Sequence, residues 1–292
     1  MPLRPTLAAL VLFCTVAPGC SGGAVTANSA DEAFTLAEDA LARRKYDRAV
    51  ELYRTTLDFG RTGEFADDAQ LGIARAYAGT RQYLIAGTEF TRFIDLYRTD
   101  ARVEDASYER ILAYAALSPS YELDQTDTNT ALQYIDAFLI QYLSGTHAAA
   151  VQTLAAELRD KLAHKQYEEG RLYERRDLFE AAVLSYQTLL ATYPGSPYAD
   201  DALAGAVRAQ VRYAANSVPA RQAERYREAL RLYDQLTSLF PQSPVLASAQ
   251  ADYDRAYAGL RSAEAVDAEV AAAMAAAPAA ATVPVTSPTP QP

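Results

Sequence analysis

The chain has 292 residues, half of them apolar, enough for one large or two ordinary domains with a sizeable core. A formal net charge of −10 argues against a nucleic-acid surface, which would need a basic patch. Tryptophan is absent, tyrosine is frequent, and the cations are nearly all arginine, with only Lys45, Lys161 and Lys165 as lysines.

The N-terminus reads as a leader. Met1 to Thr6 carries Arg4, and Leu7 to Ala17 is apolar but too short to cross a bilayer as a mature helix. A charged start, an apolar centre and small residues before Cys20 make a secretory signal. "VAPGC" is similar to a bacterial lipobox, with Gly19 as the small residue before the cysteine. On this reading residues 1–19 are a lipoprotein signal peptide, Cys20 carries lipid and 20–30 form a flexible tether. Each buried methylene adds about 0.8 kcal/mol, so two or more chains anchor stably. The competing reading is an ordinary signal peptide cleaved near Gly19. Cys14 leaves with the signal in the lipoprotein case, and no cysteine pair then remains for a disulfide.

From Asp31 to about Ala277 the apolar spacing is helical, without strand alternation. "QYEEGRLYERRDLFEAAVLSYQTLLATYPGSP" carries Tyr167, Gly170, Tyr173, Phe179, Ala182, Tyr186, Leu189 and Pro194. That order matches a tetratricopeptide helix pair. Gly170 and Ala182 are small where backbones approach, while Tyr173, Tyr186 and Leu189 are expected to fill the interior. Pro194 ends the second helix, and Pro197 suits the next helix start. The small residue of the second helix recurs at Ala49, Ala86, Ala131, Ala182 and Ala229. Every interval exceeds the usual period of about 34 residues, so each pair has longer helices or an extended turn. "AANSVPARQAER" reads as an interruption before the second helix of the fifth pair.

The expected fold is therefore all-α: an α-solenoid of about five tetratricopeptide-like helix pairs, with a C-terminal capping helix from about Ser243. It spans 31–277, grouped as N-terminal repeats 31–145 and C-terminal repeats 146–277. The Ala/Pro-rich residues 278–292 cannot bury enough surface to order themselves. Tyr46, Tyr53, Tyr77, Tyr83, Tyr173, Tyr186, Tyr226 and Tyr233 fall on packing positions. Partner contacts belong on the first helix of each pair, facing the groove of a solenoid. By repeat register these are Phe34, Leu41, Leu71, Arg75, Tyr167, Arg171 and Arg175.

The motifs argue against an enzyme, a resident metal or a cofactor. His147 and His164 lie in different repeats without ligand spacing, and no metalloprotease, hydrolase, P-loop or dinucleotide motif occurs. The acidic stretch "SPSYELDQTDTNTA", residues 118–131, lacks the central Gly and twelfth-position Glu of a calcium loop. It reads as an extended turn in which Asp127, Thr128 or Thr130 caps a helix starting near Thr130, with Gln133 completing a capping box.

A lipobox followed by repeats such as "KYDRAVELYRTTL", "AGTEFTRFIDLY" and "EAAVLSYQTLLATYPGSPYADDAL" resembles the BamD family of outer-membrane lipoproteins. The resemblance spans roughly Asp31 to Ala258 and includes the acidic turn. It implies a non-enzymatic member of the β-barrel assembly (Bam) complex, lipid-anchored in the outer membrane and facing the periplasm. It further implies docking on the POTRA domains of the barrel-forming subunit through the C-terminal repeats. Unfolded outer-membrane proteins would be received by the N-terminal repeats. The alternative is another periplasmic tetratricopeptide lipoprotein, a scaffold for septation or peptidoglycan partners.

Overall fold

The structure, a computed structural model, describes residues 27–276. Cys20, the leader and the tail 278–292 lie outside the described residues. All regular structure among the described residues is helical. The chain divides into two compact bodies, with the break between Thr99 and Asp100.

The N-terminal body contains α1 (Ala30–Ala42), α2 (Tyr46–Phe59), α3 (Ala66–Gly79) and α4 (Tyr83–Leu96). The C-terminal body contains α5 (Val103–Leu117), α6 (Thr126–Gln141), α7 (Ala148–Arg175), α8 (Phe179–Thr192), α9 (Ala199–Ala215), α10 (Pro219–Leu239) and α11 (Leu246–Ala276). Within each body every helix packs on the next in sequence. Short connections make such neighbours antiparallel. First helices of successive pairs also touch, α1 with α3, α7 with α9, and α9 with α11. That is the α-solenoid arrangement expected from the sequence.

The recurring alanines explain the pairing. Ala49, Ala86, Ala131, Ala182 and Ala229 are all fully buried. A larger side chain at any of them would force the two backbones apart. Three first-to-second helix turns close the same way. Arg44, Arg81 and Asp177 adopt left-handed φ values of 56°, 61° and 58°. The next amide then reaches back five residues: Lys45 to Ala40 O, Gln82 to Tyr77 O and Leu178 to Tyr173 O. This is a Schellman-type closure built on non-glycine residues.

Two expectations about boundaries are corrected. "AANSVPARQAER" is not an interruption, because α9 runs to Ala215 and α10 begins at Pro219. Proline at the first helical position holds φ near its helical value, and Val218 before it is extended at φ −60°, ψ 145°. Long helices, such as the 28 residues of α7 and 21 of α10, widen the repeat intervals. Pro197 does not open α9, which starts two residues later; it sits in a turn where Tyr198 N–H donates to Ser196 Oγ at 3.1 Å. Among the expected core tyrosines, Tyr53, Tyr186 and Tyr226 are buried, but Tyr173 is exposed. The neighbouring position of α7 turns inward instead, and it holds a glutamate.

No helix among the described residues is long and apolar enough to cross a membrane.

Candidate functional site

The site is built around Tyr186. Its ring lies between α7 and α9, where a Cβ on Gly170 or Gly205 would come within 2.5 or 2.7 Å of it. Glycine on both flanking helices is what admits the ring. Tyr167 and Tyr198 pack beside it, with centroid separations of 5.9 Å for Tyr167–Tyr186 and 5.6 Å for Tyr167–Tyr198. The Tyr186 hydroxyl donates to Glu174 Oε2 at 3.2 Å. Burial first, and then the Glu174 charge, push the Tyr186 phenol up.

Glu174 is only 8% exposed. Arg208 of α9 grips it with a two-pronged fork, Nε to Oε1 at 2.6 Å and Nη2 to Oε2 at 2.8 Å. Arg212, one turn further along α9, places Nη1 3.7 Å from Oε1. Burial works against the Glu174 charge, but the Arg208 hydrogen bonds and the two guanidinium charges win and hold its carboxyl below the usual range. The bond to Glu174 in turn raises Arg208 against burial. Arg208 therefore stays charged at any physiological pH.

Arg171, Glu174 and Arg175 of α7 thus face Arg208 and Arg212 of α9 around an open hollow of about 220 Å³. Arg171 is paired with Glu168 at 2.7 Å. Arg175 is exposed and has no ion pair among the described residues. Arg171, Arg175, Arg208 and Arg212 gather there against Glu168 and Glu174, with Asp201 near enough to Arg171 and Arg208, and Asp252 to Arg208, to act on their charges. Beside it, the Arg212 guanidinium lies 5.9 Å from the Phe179 ring centroid. Phe179 belongs to a broader open groove of about 860 Å³, lined also by Leu178, Leu184 and Tyr213, with Asp177, Glu180 and Asn216 at its polar edge.

Of the seven residues expected to contact partners, three are exposed: Arg75, Arg171 and Arg175. The structure brings Arg171 and Arg175 together. Leu71 is corrected: at 1% exposure it is a core residue, because α3 buries that face between its neighbours. Phe34 is half-buried and stacks on Phe65 at 4.9 Å. Leu41 packs against the core of the N-terminal body, and Tyr167 against that of the C-terminal body. Sequence reasoning missed Glu174, Arg208, Arg212 and Phe179. Arg208 stands in the same register to Tyr186 as Arg75 does to Tyr53, a spacing that was there to be found.

The acidic turn has a different construction from the one expected. Helix α6 starts at Thr126, and none of Asp127, Thr128 and Thr130 caps it. Thr130 instead returns its hydroxyl to Thr126 O at 2.9 Å. Asp124 Oδ1 accepts the Thr126 N–H at 2.9 Å. Buried Gln125 ties the turn internally, donating to Ser120 O at 2.8 Å and Leu123 O at 3.0 Å, while Thr128 donates to its Oε1 at 2.7 Å. Lys161 and Lys165 hold the turn from α7, reaching Ser118 Oγ at 2.7 Å and Leu123 O at 3.0 Å. Two of the three lysines in the chain are spent there. No group of three or more His, Cys, Asp or Glu among the described residues is placed to hold a metal.

The model of the YfiO family, described as an outer membrane lipoprotein, matches residues 26–225. The chain belongs to this family. The matched span includes the Phe34–Phe65 stack, the Tyr167–Tyr186–Tyr198 group and the arginine hollow. Among curated proteins, the chain is similar to the outer membrane protein assembly factor BamD of Caulobacter vibrioides, 24% identical over 217 residues, covering 72% of this chain and 71% of that protein. It is also similar to BamD of Neisseria meningitidis serogroup B, 24% identical over 186 residues, covering 60% of this chain and 70% of that one. Among solved structures, a TPR repeats protein from Bacteroides fragilis is 13% identical over 80% of this chain and 99% of its own, with a TM-score of 0.43. The TPR2AB domain of yeast Sti1 is 17% identical over 78% and 98%, with a TM-score of 0.39.

Proposed function

We propose that the chain is a non-enzymatic component of the outer-membrane protein assembly (Bam) complex and takes part in folding and inserting β-barrel proteins into the outer membrane. The observation that carries this reading is the family match across residues 26–225, joined by two relatives that both bear the name BamD. The physical form supports it. Stacked helix pairs offer long shallow surfaces, suited to polypeptides and protein domains rather than to small substrates.

In finer detail, repeats 146–277 dock on the POTRA domains of the barrel-forming subunit, and repeats 31–145 receive unfolded outer-membrane proteins. Lipid on Cys20 anchors the chain to the outer membrane with the repeats in the periplasm. The test is copurification. Tagged mature chain is drawn from detergent-solubilised outer membranes and its companions are identified by mass spectrometry. A stable complex with a POTRA-bearing barrel protein is expected. Recovery with septation or peptidoglycan proteins in its place would overturn the reading. Mass spectrometry of the N-terminal peptide tests the anchor: a diacylglycerol-modified Cys20 is expected, and an unmodified terminus near Gly19 would contradict it.

A further inference from the structure

The geometry points to a binding site on α7–α9 for an extended polypeptide segment that places a carboxylate among Arg171, Arg175 and Arg212 and an apolar side chain against Phe179. Three features of the C-terminal body carry this. The hollow is already organised around a carboxylate. Arg208 holds Glu174 in a two-pronged fork at 2.6 and 2.8 Å, and the Tyr186 hydroxyl fixes the carboxylate from behind. A guanidinium fork matches a planar carboxylate, and neighbouring guanidinia are pre-set to bind another.

The hollow also has cationic capacity to spare. Glu174 satisfies Arg208, and Glu168 partners Arg171, but Arg175 has no ion pair among the described residues and Arg212 stands 3.7 Å from an oxygen that Arg208 already holds. An incoming anion supplies the partner that Glu168 and Glu174 do not give to Arg175 and give only distantly to Arg212. The surroundings then decide what bears the anion. Arg212 sits over Phe179, which puts the hollow next to the groove where Leu178 and Leu184 are 51% and 65% exposed. A free inorganic ion would leave that apolar surface uncovered. A peptide with an acidic residue beside an aromatic or aliphatic one covers both. The carboxylate can come from a side chain or from a chain terminus, since the forks recognise the same group in each.

The inference rests on the assembly reading in one respect, that the occupant is a polypeptide. Its test uses the full mature chain. The probe is a fluorescent, N-acetylated and C-amidated pentapeptide with one glutamate next to one phenylalanine, titrated by fluorescence anisotropy. A parallel peptide replaces glutamate by glutamine, and another carries glutamine with a free C-terminal carboxylate. The glutamate peptide is expected to bind about tenfold more tightly than the blocked glutamine peptide, the loss of one charge-assisted contact. The third peptide separates the sources: affinity restored by the free terminus assigns the site to either carboxylate, and affinity left low assigns it to side chains.

Arg175→Gln and, separately, Leu184→Ser change exposed residues and should retain the wild-type melting temperature while weakening the glutamate peptide about fivefold or more. Equal binding of the glutamate and blocked glutamine peptides, or unchanged binding in both variants, would overturn the site. So would displacement of the peptide by equimolar inorganic phosphate. A chain that still copurifies with the barrel-forming subunit but ignores the peptide loses this site alone. A chain that never copurifies with it loses the assembly reading.

Discussion

The two bodies contain the same aromatic frame with different chemistry on it. In the N-terminal body Tyr53 is fully buried beside Phe34, which stacks on Phe65; in the C-terminal body Tyr186 is fully buried beside Tyr167, which stacks on Tyr198. Gly72 meets Tyr53 as Gly205 meets Tyr186. Arg44 and Asp177, the left-handed turn residues, occupy the same register. Each tyrosine hydroxyl donates to a glutamate, Glu38 or Glu174. Glu38 is exposed whereas Glu174 is buried and gripped by Arg208. Where the C-terminal body has Arg171, Arg175 and Arg212, the N-terminal body has Glu38, Ala42 and Gly79 at matching positions. Packing dictates the frame, and the positions facing outward are free to carry charge of either sign.

The largest effect should fall on the frame and be equal in both bodies. Tyr53→Ala and Tyr186→Ala each remove a fully buried ring and should cost about 3–5 kcal/mol in denaturant unfolding. A loss below about 1 kcal/mol at either would break the equivalence.

The next effect should separate the bodies. Glu174→Gln strands Arg208 and should cost about 2 kcal/mol, less than a fully buried pair because Arg208 is partly exposed. Glu38→Gln should change stability by less than about 0.5 kcal/mol. The Glu174 contribution also has a pH signature. Its folded carboxyl is held below the usual range, so its stabilisation is fully present above the ordinary glutamate pKa and fades as pH falls through the depressed folded value. The stability gap between wild type and Glu174→Gln should therefore be level from pH 7 to about 5 and close at lower pH. A gap that widens on acidification would contradict the ion-pair assignment.

Smaller still is the acidic turn. Asp124→Ala should lower the melting temperature by no more than about 2 °C, and added calcium should leave the wild-type melting temperature unchanged. A calcium-dependent rise that the variant lacks would restore a metal role to the turn. The smallest change is stabilising. Arg81→Gly relieves a left-handed residue and should raise the melting temperature by about 1–2 °C.

Much of the frame was legible in the sequence because it depends on local size. Ala49, Ala86, Ala131, Ala182 and Ala229 mark helix crossings, where small side chains are required. The start of α10 was not, since Pro219 reads equally as a break or as a first helical residue. The start of α6 was hidden similarly, because Thr126 to Thr130 offers several capping side chains and the fold uses none of them as the cap. Leu71 shows the limit of register reasoning: α3 is packed on more than one side, so a position taken as groove-facing is core. Arg171 and Arg175 could be picked out on one helix, but their meeting with Arg208 and Arg212 depends on how α7 crosses α9. A spacing along the chain does not encode that crossing. The inward turn of Glu174 in place of Tyr173 is a one-residue rotation of the same kind.

Hydrogen exchange of the full mature chain, with and without the blocked glutamate–phenylalanine peptide, tests most directly the claim that one frame serves two surfaces of different chemistry. The account predicts slowed exchange confined to the turns and helix ends of α7–α9, from about Arg171 to Asn216, with α1–α3 unchanged. Equal protection around Tyr53 and Tyr186, or protection in the N-terminal body alone, would contradict it.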